Sequence, residues 1–272
     1  MAPAPKALSL PSWAERLRQL VTNNLKQNKD LVSYAFATYD NPAVGAPHPH
    51  VRYVVHRGFT NERRKDGDGS SNLVKDADGN EYLSDKLIVT TDARSPKARQ
   101  LAASPQVEIA WWLSATQHQF RIVGPAYILP SPSFSTTPST FGTDPSASTL
   151  TFPFPAAKLA PYEGFNWEDE RVRQFRKLSP ELRASFYRPV PGSRLTEWDG
   201  KMEDLPETLP ETVEDAEGEE QKKEVEQAMN NMALIVIDPI AVDLVDLGSM
   251  PNVRTLWLVS DSGEWSEEGL VP

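Results

Sequence analysis

The sequence has 272 residues, of which 39% are hydrophobic and 24% charged, a composition typical of a folded globular protein. Its formal charge of −10 is uneven, because residues 203–226 hold eleven acidic residues and two lysines. The rest of the chain is therefore nearly neutral. No apolar run reaches the roughly 18–20 residues that a membrane helix needs, so we expect no membrane span.

Other classes of protein are excluded by what the composition lacks. There is no cysteine, so disulfides and thiolate chemistry are excluded, and a reducing location fits. The start, MAPAPKALSLPSW, lacks the apolar core of a secretory signal, so we expect a cytoplasmic protein, with the nucleus as an alternative. We expect no nucleic-acid partner, because no basic run carries interleaved aromatic residues. The four histidines show no HExxH spacing, and we expect no metal.

The chain opens with a helix signal. Ser12 followed by Glu15 resembles a capping box, and apolar residues then recur every three to four positions, which predicts an amphipathic helix over 12–27. Short runs rich in β-branched and aromatic residues follow and predict strands. Their ranges are 32–39, 51–58, 86–91, 107–113, 119–129, 233–247 (interrupted at Pro239) and 254–259. We therefore expect a mainly β fold with peripheral helices, in which six to seven antiparallel strands form a barrel.

Three inserts interrupt the strands of what we expect to be a single domain over 1–272. Residues 61–80 repeat Asp-Gly and predict a long hairpin loop, and 130–161 contain 19 Pro, Ser or Thr residues among 32. The acidic run 203–226 is expected to be solvated, or partly helical near its lysines. Outside the inserts, Asn166 predicts the start of a helix to about Lys177, and Ser179-Pro180 begins another over 180–187.

The most informative stretch for chemistry is KLIVTTDARSPKARQL, residues 86–101. A strand ends at Thr91, and Ser95-Pro96 predicts a helix N-terminus, which directs free amides and the positive end of the helix dipole at one spot. Arg94 and Lys97 flank that spot, and Thr90 adds a hydroxyl. This pattern indicates a phosphate-type anion site; an ordinary capped helix with surface cations is the alternative.

A second stretch, RYVVHRG, places Arg52, Val54 and His56 on one face of a strand and Tyr53, Val55 and Arg57 on the other. One face of a small barrel is interior, so one arginine is expected against the core or a ligand; an exposed strand is the alternative. Gln119, where a further strand begins, can hydrogen-bond a planar heterocycle, a weak signal. Trp111 and Trp112 should lie on opposite faces of their strand.

Taken in order, these stretches resemble the pyridoxamine 5′-phosphate oxidase-like flavoproteins, and most closely the Alr4036-type FMN-binding branch. The residues that carry the resemblance are RYVVHRGF (52–59), LIVTTDARSPKARQL (87–101), VEIAWWLSATQHQFRIVGPA (107–126), LSPELRASFYRPVPG (178–192) and GEWSEEGLVP (263–272). The resemblance implies a split β-barrel that binds FMN at a homodimer interface.

The resemblance also implies which residues contact the cofactor. The family's flavin contacts fall on Arg52, Tyr53, Val54, Val55, Thr90, Thr91, Ser95, Lys97 and Gln119. Arg57 stands where the oxidases have a lysine implicated in substrate contact. Pro96 replaces a phosphate-binding arginine, and Arg94 is a candidate to supply that charge. We include Arg57, Arg94 and Arg254 among the candidate binding residues.

The departures from the oxidases bear on activity. Their C-terminal RxHxR segment reads SMPNVRTLWLV here, with Arg254 and no histidine, and the tryptophan before it is missing. We therefore expect an FMN-dependent oxidoreductase acting on an unidentified small molecule, and assign no catalytic acid or base. One alternative is pyridoxamine or pyridoxine phosphate oxidase activity in which Arg57 and Arg254 bind the substrate phosphate. The other is a flavin-binding module without turnover.

Overall fold

The computed structural model describes residues 10–25, 29–41, 45–63, 70–135 and 150–272. Within these residues, nine strands form one antiparallel sheet. They are β1 (Ser33–Asp40), β2 (His48–Phe59), β3 (Leu87–Asp92), β4 (Gln106–Leu113), β5 (His118–Leu129), β6 (Met232–Ile237), β7 (Ala241–Asp246), β8 (Val253–Val259) and β9 (Trp265–Leu270). The order is β4-β1-β2-β3-β6-β5-β7-β8-β9, and β4 also pairs with β5. The first six strands in this order therefore close into a barrel, and β7, β8 and β9 extend from β5.

This architecture confirms the predicted mainly β barrel with peripheral helices. Each predicted strand is present within a few residues, and the run 233–247 divides into β6 and β7 on either side of Pro239. The prediction missed β9, because its sequence WSEEGL is polar and mostly exposed. That strand is held by its antiparallel pairing with β8, a contact that local sequence does not reveal.

Six α-helices lie around the barrel in the described residues. They are α1 (Ser12–Asn24), α2 (Pro96–Ala103), α3 (Ala156–Leu159), α4 (Trp167–Arg176), α5 (Pro180–Ser185) and α6 (Gly218–Asn231). Asn166 caps α4 through Asp169 N, and Ser179 caps α5 through Leu182 N, as predicted. No described helix combines the length and the apolar character needed to cross a membrane.

The predicted capping box at the start of α1 is wrong. Pro11 occupies the N-cap position, and no side chain caps the helix. Ser12 is already helical, and its hydroxyl donates to Glu267 Oε2 at 2.8 Å while accepting from Trp257 Nε1. A long-range contact with β8 and β9 has thus taken the hydroxyl that the local pattern assigned to the helix.

Two hydrophobic clusters hold these elements together. The first fills the barrel and includes Phe36, Ile109, Trp111 and Phe120, all fully buried. The second lies between the outer face of the β3–β6 pair and the α4–α6 helices, with Phe175 fully buried. The barrel thereby fixes β2, β3 and the start of α2, and the helical layer fixes the α5 region beside them.

The inserts are described in part. In 61–80, a turn around Asp76 is closed by a bridge between Lys75 and Glu81, whereas 64–69 lie outside the described residues. In 130–161, residues 136–149 likewise lie outside them, and α3 begins at Ala156. The lysine-containing end of 203–226 is helical in α6, as predicted. The single-domain division itself stays a prediction.

Candidate functional site

A cleft of about 560 Å³ opens where β2, β3 and α2 meet. A volume of this size is within the usual range for small-molecule sites, roughly 300–1,000 Å³. Seven of the twelve sequence-predicted binding residues line it: Tyr53, Val54, Val55, Arg57, Thr90, Thr91 and Lys97. The structure therefore brings together residues that are up to 44 positions apart in the sequence.

The end of the cleft beside α2 is cationic and rich in hydroxyls. Lys97 Nζ donates to Thr91 Oγ1 at 2.8 Å, and Thr91 Oγ1 lies 3.2 Å from Ser95 Oγ. Ser95 is the N-cap residue of α2 by position, and Pro96 follows as the first helical residue, as predicted. The Ser95 hydroxyl makes no capping hydrogen bond and faces Thr91 instead. The first turn of α2 is thus left without a side-chain acceptor of its own.

Arg52 lies behind this end of the cleft and adds charge to it. Its guanidinium donates to Gln100 Oε1 at 2.9 Å and to Thr38 Oγ1, so it is held by neutral oxygens. Burial lowers the pKa of Arg52, and Asp40 partly offsets this effect. Burial also lowers the pKa of Lys97, and the charge of Arg52 lowers it further. A lysine whose protonation is disfavoured by a neighbouring cation favours an anion beside it.

Arg57 is a further cationic side chain that lines the cleft. Its Nε donates to Thr90 Oγ1 at 3.2 Å, and burial lowers its pKa. No carboxylate of the described residues forms an ion pair with it. A buried guanidinium cannot lose its charge, so its remaining donors favour an anionic or carbonyl partner.

Arg94 does not line the cleft, contrary to the idea that it replaces the missing phosphate arginine. Its guanidinium donates to both carboxylate oxygens of Asp92, at 3.0 and 2.7 Å. It also donates to the carbonyls of Phe186 and Arg188, at 3.2 and 2.9 Å. Both members of the ion pair are 8% exposed. Arg94 therefore fastens the segment after α5 to the end of β3.

Two other predicted residues also lie apart from the cleft. Arg254 is on β8, where it donates to Asp243 at 3.1 and 2.8 Å. Gln119 is on β5, opposite Trp112 on β4 and Val245 on β7. Neither lines the cleft, so any role in binding the cofactor stays a prediction.

The remaining wall was not assigned from the sequence. It comes from α5 and the segment after it; the lining residues up to Gly192 belong to the motif LSPELRASFYRPVPG, and Ser193, Leu195 and Met202 lie beyond it. The lining residues there are Leu182, Ser185, Phe186, Arg188, Pro189, Val190, Pro191, Gly192, Ser193, Leu195 and Met202. In the sequence, only the resemblance of residues 178–192 to the family pointed to this wall. No rule of residue spacing marks an irregular segment as part of a binding site.

A second cavity of about 810 Å³ shares Val55 and Arg57 with the cleft. It contains four cationic side chains and one acidic one. These are Arg18, Arg57, Arg63, Lys177 and Glu62, and Arg18 Nε donates to Glu62 at 3.0 Å. In a protein of net charge −10, this cavity is a local region of positive charge. His56 also lines it, within contact of the rings of Tyr34, Phe59 and Trp111.

Fold and cleft together define a split β-barrel with a cationic, hydroxyl-rich cleft at a strand-to-helix junction. Residues 10–130 match the family described as pyridoxamine 5′-phosphate oxidase, FMN-binding domain. This match agrees with the resemblance that the sequence motifs indicated, and membership of the whole chain in the FMN-binding family stays a prediction. The Alr4036-type branch stays a prediction. No match was found among curated proteins.

A solved structure supports the fold. A pyridoxamine 5′-phosphate oxidase-related, FMN binding protein from Nostoc punctiforme is 23% identical, with a TM-score of 0.60, covering 97% of this chain and 99% of that one. PhzG from Burkholderia lata, solved with tetrahydrophenazine-1-carboxylic acid, is 12% identical, with a TM-score of 0.49, covering 98% and 100%. The first similarity shows that the two chains share their fold.

The residues present fit FMN. A phosphate needs converging donors, and Lys97, Thr91 and Ser95 supply them at the start of α2, with the charge of Arg52 behind. A planar ring system needs apolar walls, which Val55, together with the prolines after α5, provides. Bound FMN would supply hydride and electron transfer at its ring system.

Proposed function

We propose that the cleft holds FMN and that the protein is an oxidoreductase acting on a small molecule in the adjoining cavity. The observation that carries the proposal is the convergence of Arg52, Thr91 and Lys97 at the N-terminus of α2. In this proposal Lys97 and Arg52 hold the phosphate, and Tyr53, Val55 and Thr90 line the place of the rest of the cofactor.

We propose that the substrate binds in the second cavity, because this cavity shares Arg57 and Val55 with the cleft. Its excess of cationic side chains favours a substrate that carries negative charge. Arg57 would orient the substrate through its free guanidinium donors while Thr90 holds its Nε. No side chain is assigned as a catalytic acid or base.

The alternative in which Arg57 and Arg254 together bind the phosphate of a pyridoxamine or pyridoxine phosphate substrate finds no support within one chain. Arg254 lines neither cavity that contains Arg57, and it is paired with Asp243.

The proposed homodimer has some support in the exposed apolar residues of β2 and β4. Val51, Tyr53 and Trp112 are 65%, 77% and 47% exposed. The cytoplasmic location, with the nucleus as an alternative, stays a prediction.

The test is an absorbance spectrum of the purified full chain after FMN is added and the protein is desalted. Retained flavin bands support the cofactor site, and no uptake at micromolar FMN overturns it. NAD(P)H and candidate anionic substrates are then mixed anaerobically with the loaded protein. Bleaching of the flavin bands supports an oxidoreductase, whereas bound flavin that nothing reduces supports the module without turnover. Light scattering of the same sample tests the dimer.

A further inference from the structure

Three side chains with metal-binding atoms meet where β1 ends and β2 begins. Asp40 is the last residue of β1 and pairs in register with His48, the first residue of β2. His50 is two positions further along β2, so it lies on the same face as His48. One ligand atom from each of the three residues lies within 4.8 Å of the other two.

We propose that Asp40, His48 and His50 bind one divalent transition-metal ion of the zinc class, with water completing the coordination. Two imidazoles and one carboxylate are a ligand set that such ions take, whereas Mg²⁺ and Ca²⁺ prefer oxygen alone. His50 Nε2 lies 3.3 Å from Asp40 Oδ2. That is about the ligand–ligand separation around tetrahedral zinc, which follows from metal–ligand distances of roughly 2.0–2.1 Å.

The surrounding contacts orient two of the ligands. His48 Nδ1 lies 2.9 Å from the carbonyl oxygen of Ala46, and a ring whose one nitrogen donates to a carbonyl offers its other nitrogen to a metal. Asp40 Oδ2 accepts from Gln100 Nε2 at 3.1 Å. All three ligands are partly or fully exposed, so small side-chain rotations can close the remaining distance.

Gln100 links this cluster to the proposed phosphate site. Its amide nitrogen donates to Asp40, and its carbonyl oxygen accepts from Arg52 at 2.9 Å. The negative charge of the Asp40 carboxylate also favours the charged form of Arg52. A metal ion on Asp40 would neutralise that carboxylate, and the neighbourhood of Arg52 would then attract an anion more strongly. This linkage rests on the proposed FMN site, whereas the metal site does not.

The site is tested by titrating Zn²⁺ into chelator-treated, dialysed full chain by calorimetry, without flavin. We expect one equivalent to bind, and binding at least about tenfold weaker in Asp40→Asn and in His50→Ala. The control is His118→Gln, which alters another histidine beside a carboxylate, Asp246.

Binding that survives in both ligand variants, or that is lost in the control, overturns the assignment, as does an absence of binding in the wild type. Circular dichroism establishes that each variant is folded. For the linkage, FMN affinity is measured with and without saturating Zn²⁺. We expect it to be roughly fivefold tighter with the metal. An unchanged FMN affinity beside intact zinc binding overturns the linkage and leaves the metal site supported.

Discussion

Lys97 Nζ donates a 2.8 Å hydrogen bond to Thr91 Oγ1, which joins the first turn of α2 to the end of β3. A neutral hydroxyl holds the lysine at the cleft. Among the neighbouring charges, Arg52 has the largest effect on the pKa of Lys97, which it lowers. Asp92 offsets this repulsion only in part, since Arg94 occupies both of its oxygens. This arrangement leaves positive charge available for a ligand.

The first prediction concerns that charge. Lys97→Ala combined with Arg52→Ala should weaken FMN binding by about two to four orders of magnitude, because each charge-assisted phosphate contact contributes roughly 1.5–3 kcal/mol. Quenching of FMN fluorescence measures the dissociation constant. Lys222→Ala, on the exposed side of α6, is the matched control and should bind FMN normally. Unchanged affinity in a folded double variant would remove the basis of the phosphate assignment.

The second prediction separates Arg94 from the cations of the cleft. Arg94→Met should lower the free energy of unfolding by about 3–5 kcal/mol, because it leaves the buried carboxylate of Asp92 without its partner. Urea denaturation followed by circular dichroism measures the change. Arg254→Met removes a half-buried arginine from an ion pair with Asp243, which Arg121 still contacts, and should change stability little. Equal stability of the two variants would contradict the structural role of Arg94.

The third prediction is a pH dependence at Asp238. Burial alone would raise the pKa of this carboxyl, but Lys86 and Lys158, at 2.9 and 2.8 Å, outweigh it and hold the pKa below its ordinary value. The resulting stabilisation is complete above the ordinary carboxyl pKa of about 3.9. It is lost as the pH falls through the lower pKa of the folded state.

Asp238→Asn lacks this contribution, so wild type and variant should differ most at neutral pH and converge below about pH 4. Urea unfolding of both proteins across that range measures the difference. Asp261→Asn, at an exposed position in the β8–β9 turn, serves as the control and should follow the wild type. A difference that stays constant with pH would show that the ion pairs are not responsible.

The fourth prediction tests the close approach of β5 to the segment between β6 and β7. A Cβ on Gly124 would lie 2.1 Å from the carbonyl oxygen of Asp238, a backbone atom. Gly124→Ala should therefore destabilise the protein by at least about 2 kcal/mol. Gly269→Ala on β9 meets nothing within 4 Å and should have little effect. Similar thermal midpoints for the two variants would show that β5 can move away from Asp238.

Local sequence determined much of the fold, because periodicity and capping act over a few residues. The alternation of RYVVHRG placed Arg52 and Tyr53 on opposite faces of β2, and Tyr53 is the exposed one; Trp111 is buried while Trp112 is exposed, on opposite faces as predicted. Asn166 and the Ser95-Pro96 pair marked the starts of α4 and α2. The motifs also agree with the match of residues 10–130 to the FMN-binding family model, since their order along the chain is itself sequence information.

Tertiary structure decided which of several equivalent groups reaches the cleft. Arg94 and Lys97 both flank the start of α2 in sequence, yet Arg94 is fastened to Asp92 and two carbonyls while Lys97 faces the cleft. The hydroxyl of Ser12 likewise finds distant partners, Trp257 on β8 and Glu267 on β9. Such choices depend on long-range hydrogen bonds, which become available only once the barrel has closed and brought remote segments together.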